Sequence, residues 1–174
     1  ENPESPVSQE IEVPEVIDLR EQAPSAFLNQ LNAFTQRYLS LKDAMVEGER
    51  EPITLETESN INALEQIDMA SLPQSVHDHW MPLYSIMEES LATIAQANDP
   101  EEQRLEFINL SKALINALNS FGINQDSPLY VQYCPMANNN QGATWISNEE
   151  EIINPYFGDL MLNCGNVEYT IEND

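Results

Sequence analysis

Asn98–Gly122 reads NDPEEQRLEFINLSKALINALNSFG. Asp99 is a capping residue, and Pro100 stands in the first turn, where its missing N–H costs nothing. Glu102 completes a capping box. Phe107, Leu110, Leu114, Leu118 and Phe121 then recur at helical spacing as one apolar stripe, and Gly122 stops it. A helix over 99–121 follows, spanning about 33 Å at about 1.5 Å per residue. One face is apolar, so it needs partners.

Three further stretches supply them. Leu31, Phe34, Tyr38, Leu41 and Met45 form a stripe between Pro24 and Gly48, giving a helix over 24–47. Ile61, Leu64 and Ile67 predict a helix over 54–69, with Pro52 near its start. Ser71-Leu72-Pro73 starts a helix over 73–97, whose buried face is Val76, Trp80, Leu83, Met87, Leu91 and Ile94. Pro82 lies inside that helix and is expected either to kink it near Asp78 or to delay its start. Four helices on short loops make an up-down antiparallel four-helix bundle over 23–122, so the chain is mainly α.

Residues 1–22 carry three prolines and seven acidic residues without an apolar stripe. They read as an extended, partly disordered acidic tail or linker. After Gly122 the texture changes, with glycines at 142, 158 and 165. Tyr130–Tyr133 and Thr144–Ser147 read as strands around a turn at 138–142, with Val167–Ile171 as a third strand. Residues 123–174 are expected to form a small C-terminal appendage rich in β-hairpin. It is too small to hold together by burial alone, and it packs on the bundle as part of one folded unit.

Six Lys and Arg against 30 Asp and Glu give a formal net charge of −24. Nucleic acid is excluded as a partner, because its phosphates need cationic neutralisation. The charge serves solubility and gathers cations only diffusely. No apolar run is long enough to cross a bilayer, and no secretory signal is visible. A chain opening on Glu1 is expected of an exported protein whose leader is gone, or of a domain cut from a longer chain. Hydrolase, phosphate-loop and zinc-protease signatures are lacking, so no enzyme is expected.

The chemistry-bearing residues lie in Tyr130–Gly165, YVQYCPMANNNQGATWISNEEEIINPYFGDLMLNCG. It holds both cysteines, Cys134 beside Met136 and Cys164 beside Met161. Two thiols and two thioethers are a donor set for a soft monovalent ion. From residue chemistry alone three states are open: a soft-metal site, a Cys134–Cys164 disulfide, or inert thiols. The two histidines flank Trp80. His77 stands one helical turn from Met81 and is placed to enter the groove between bundle and appendage as a nitrogen ligand, against a surface position. His79 is expected to turn away from that groove to the surface.

VQYCPMA, GATWIS and EIINPYFGDLMLNCGNV, preceded by HDHWM and DPEEQRLEFINLSKAL, resemble a bacterial domain of formerly unknown function. That domain occurs alone in exported proteins or appended to periplasmic adaptor subunits of copper/silver efflux pumps of the resistance-nodulation-division type. The resemblance covers about 24–170. It implies a helical bundle in the periplasm or cell envelope, a role in heavy-metal handling, and efflux-pump components or another envelope protein as partners. It places the family's cysteine-proline-methionine on Cys134, Pro135 and Met136, its methionine–cysteine–glycine on Met161, Cys164 and Gly165, and its histidine on His77. Pro82 and the acidic tail depart from the family's pattern. The expectation is an exported protein holding Cu(I) or Ag(I) through Cys134, Met136, Met161, Cys164 and His77, with zinc as the runner-up. The alternative is a non-metal envelope interaction module locked by a Cys134–Cys164 disulfide.

Overall fold

A computed structural model describes residues 11–173, so residues 1–10 of the expected tail lie outside the described residues. Four long helices come first: α1 (Ser25–Glu47), α2 (Arg50–Glu65), α3 (Gln74–Gln96) and α4 (Pro100–Phe121). The cap at the start of α4 forms, and the return bond from Glu102 falls one residue before the cap, on Asn98. The Asp99 side chain accepts from the Glu102 amide at 2.9 Å, and the Glu102 carboxylate accepts from the Asn98 amide at 3.0 Å. Asp99→Ala orphans an N–H of the first turn and lowers stability by ~1 kcal/mol, whereas Asp99→Ser stays close to the parent. Urea melts of the two variants check this, and equal losses would reject the cap.

The polar contacts fix the direction of each helix. The end of α1 meets the start of α4, where Arg104 donates to the Met45 carbonyl. The start of α2 meets the end of α3, where Arg50 donates to the Ala97 carbonyl. At the opposite end Gln30 of α1 accepts from the Asp68 amide, and His79 of α3 bonds Asn116 and Ser120 of α4. The helices therefore run up, down, up, down, as two short connections demand.

Helix α2 starts four residues before the expected position. Its buried face is Ile53, Thr57, Asn60 and Leu64. The two polar members donate to backbone: Thr57 to the Ile53 carbonyl, and the Asn60 amide nitrogen to those of Glu56 and Arg37. A search for apolar spacing passes over such a face. Helix α3 runs through Pro82, and its start at Gln74 is not displaced.

The expected strands form as β1 (Leu129–Cys134), β2 (Ala143–Ser147) and β3 (Asn166–Ile171). They make an antiparallel sheet in the order β2-β1-β3. Tyr38 ties this sheet to the bundle. It stacks on Phe107 at 5.0 Å, its hydroxyl bonds Ser111 at 2.7 Å, and it accepts from the Ile146 amide of β2. Phe107 touches Tyr156, and Tyr156 touches Trp145 edge-on, each at 5.9 Å. One aromatic chain thus runs from the bundle core into the sheet. A second cluster, Phe27, Trp80 and Phe121, fills the other end of the bundle.

The described part of the N-terminal segment is extended and docked on α4. The Ile11 amide donates to Asn109, the Ile17 amide to the Ser120 hydroxyl, and the Leu19 amide to the Ser120 carbonyl. Leu19 itself is buried. The acceptors are polar residues of α4, which apolar spacing does not reveal.

Candidate metal centre

Strand β1 ends on Cys134, which pairs across the sheet with Ala143. Pro135 turns the chain out of the sheet, leaving Cys134 buried and Met136 at the surface, 45% exposed. The return to β2 passes through Asn138, Asn139 and Asn140, all left-handed, with φ of 53°, 53° and 65°. Asparagine tolerates that conformation better than most residues. Gly142 closes the turn at φ +86°, where a Cβ would collide with the Tyr133 hydroxyl.

Cys164 arrives from the other side, on a loop fastened by Asn154. That side chain is fully buried. Its amide donates to the Cys164 carbonyl at 2.8 Å, and its oxygen accepts from the Tyr156 amide at 2.8 Å. The Asn154 backbone N–H donates to the Leu162 carbonyl. Gly165 follows Cys164 at φ +139°, and a Cβ there would lie 2.6 Å from the Tyr133 carbonyl oxygen. Only a residue without a side chain lets the backbone press against β1 so closely. The result is a Cys134 Sγ to Cys164 Sγ distance of 2.9 Å.

Asn154→Ala strands the Tyr156 amide and the Cys164 carbonyl, for a loss of roughly 2–4 kcal/mol. The urea midpoint falls, and Cys164 reacts faster with a thiol reagent. Unchanged stability and labelling would reject this fastening role.

Both thiols are free. Cys164 is pushed above the usual thiol range, first by its hydrogen bond to Cys134, then by burial and the charge Cys134 would carry. The Met136 backbone amide opposes that shift at the same sulfur.

Met136 and Met161 line one cavity of about 480 Å³, with Glu101 and Arg104 but neither cysteine among its lining. Leu105 and Ile108 from the first half of α4 line it too, together with Phe157 and the exposed Leu160. The loop reaches α4 through Gly158, whose missing Cβ would strike the Val46 carbonyl and Arg104. The four sulfur-bearing residues thus come from two remote stretches to one end of the molecule.

His77 is not brought there. Its side chain is 41% exposed on the first turn of α3, with Nδ1 3.6 Å from Asp78. His79 corrects the expectation of a surface residue. It is only 6% exposed, bonds Asn116 and Ser120 at 2.9 Å each, and meets Phe121 edge-on. These partners are on the last turns of α4. From Ile108 to Asn116 the helix axis advances about 12 Å, so this end is remote from the cavity. Among the described residues, no group of three or more His, Cys, Asp or Glu side chains gathers to hold an ion. The Cys₂His set that zinc would use is not assembled.

Asn154 and Arg104 are missed by sequence reasoning. The Asn154-Pro155 dipeptide is a turn signal that marks the first. Nothing local marks Arg104, whose hydrogen bonds to Met45 and Val46 span some sixty residues.

The family described as a protein of unknown function (DUF3347) matches residues 34–126, just over half of the chain, and the chain belongs to it. The matched residues cover most of the bundle, and the cysteine-bearing stretch lies beyond them. No curated protein and no solved structure matches the chain.

Proposed function

We propose that this member of the DUF3347 family captures a soft monovalent ion, Cu(I) or Ag(I), at Cys134 and Cys164. The observation that carries the reading is the contact of the two thiols, each two or three residues along the chain from a methionine of one shared cavity. Thiolate and thioether sulfur prefer soft ions to Mg²⁺ or Ca²⁺. Cys134 and Cys164 would lose their protons and supply the charge. Met136 and Met161 would add neutral thioether donors from the cavity side. The role assigned here, on the resemblance of the cysteine-bearing stretch, is capture and hand-over in heavy-metal efflux or resistance. The protein would work in the periplasm or cell envelope, passing the ion to a pump component.

A competitive titration of the reduced chain against a Cu(I) chelator tests this. One ion per chain, released on acidification, is the expected result. Elemental analysis of protein from a copper-supplemented culture checks the metal, and zinc in place of copper would change its identity. Failure to compete with the chelator would remove the proposal.

A further inference from the structure

We infer that Cys134 and Cys164 also form a reversible disulfide, entered through Cys164, and that closing it switches off the soft-ion site. The second half of this inference rests on the proposed metal reading; the first half does not.

The spacing of the two sulfurs is the starting point. At 2.9 Å the two sulfurs are in contact. They are near enough to bond to each other or to share one ion. The sites on either side are already fixed: Cys134 by strand pairing with Ala143, Cys164 by Asn154 and by the close approach at Gly165. A small rotation about the Cys164 side chain serves both, so neither requires refolding.

The two thiols differ in access. Cys134 is fully buried, and Cys164 is only partly buried. An incoming low-molecular-weight or protein disulfide, RS–SR, therefore meets Cys164 first. The Cys164 sulfur attacks, a Cys164–S–S–R bond forms, the RS–SR bond breaks, and one RSH leaves with the proton Cys164 gave up. Cys134 then attacks the Cys164 sulfur. The Cys134–Cys164 bond forms, and the second RSH leaves with the proton of Cys134. Two electrons pass from the two cysteines to the incoming disulfide. The bridged sulfurs carry no thiolate charge, so the site loses the donors that hold the ion. A dithiol reductant reverses each step.

Oxidised glutathione is the probe, applied to the full chain. Expected is a product lighter by two hydrogens and free of adduct, with an unfolding midpoint raised by roughly 5–10 °C. Cys134→Ser should stop at a stable glutathione adduct on Cys164, while folded Cys164→Ser should form none. Ag(I) titration should give one ion on the reduced chain, none on the bridged chain, and one again after dithiothreitol. Failure of the reduced chain to bridge, or equal adducts on both variants, overturns the disulfide with its entry through Cys164. Equal Ag(I) binding by reduced and bridged chains overturns the switch while the metal reading stands. A bridge that forms on a chain indifferent to Ag(I) in both states overturns the switch and the metal reading together.

Discussion

Replacing both cysteines by serine lowers the affinity for Cu(I) or Ag(I) by at least ~100-fold. Loss of a group that merely orients a ligand costs 10–100-fold, and here the two charged ligands themselves are removed. Serine keeps the volume near that of cysteine but offers a hard, neutral oxygen that a soft ion disfavours. Cys134 is buried at the end of β1, so the hydroxyl there needs a partner and some stability is lost. Far-UV circular dichroism separates that loss from loss of the site. His77→Ala, remote from the thiols, leaves the affinity unchanged. Met136→Leu with Met161→Leu gives an intermediate loss, because two neutral donors go and the thiolates stay. An unaltered affinity in the double serine variant would mean that the ion is held elsewhere.

Trp145→Ala lowers stability by about 3–5 kcal/mol, a large share of the 5–15 kcal/mol typical of a native domain. The indole is fully buried in β2 and meets Tyr156 edge-on at 5.9 Å. Tyr156 continues to Phe107, and Phe107 stacks on Tyr38. Removing the indole opens a cavity where sheet and bundle join. It also frees the backbone at Gly165, where an added Cβ would lie 3.2 Å from the indole ring. Urea unfolding monitored by circular dichroism should show a lower midpoint with an unchanged slope. The thiol labelling rate of Cys164 should rise in parallel. A loss under ~1 kcal/mol with a separate, earlier transition would show that the sheet melts by itself and shares no core with the helices.

The histidine pair shows what sequence spacing offers when its phase is read closely. His79 stands three residues after Val76 and four before Leu83, both on the buried stripe. By helical geometry it belongs on that face. The spacing of His77 to Met81, and the place of the family's histidine, point to His77 instead. A buried imidazole needs polar partners, and Asn116 and Ser120 supply them from a helix whose apolar stripe hides them. The same blindness moved the start of α2, where Thr57 and Asn60 occupy buried positions.

The sequence by itself determined the four helices, the three strands and the choice of sulfur as the chemistry to watch. Those features rest on caps, stripes and turns whose partners lie within a few residues. Only the tertiary structure decided that Cys134 and Cys164 touch, that both methionines open on one cavity, and that His77 stands apart. These depend on contacts across long stretches of chain: Gly165 against Tyr133, and Gly158 against Val46. A close approach of two backbones is set by the packing of whole elements, which no local pattern of residues encodes.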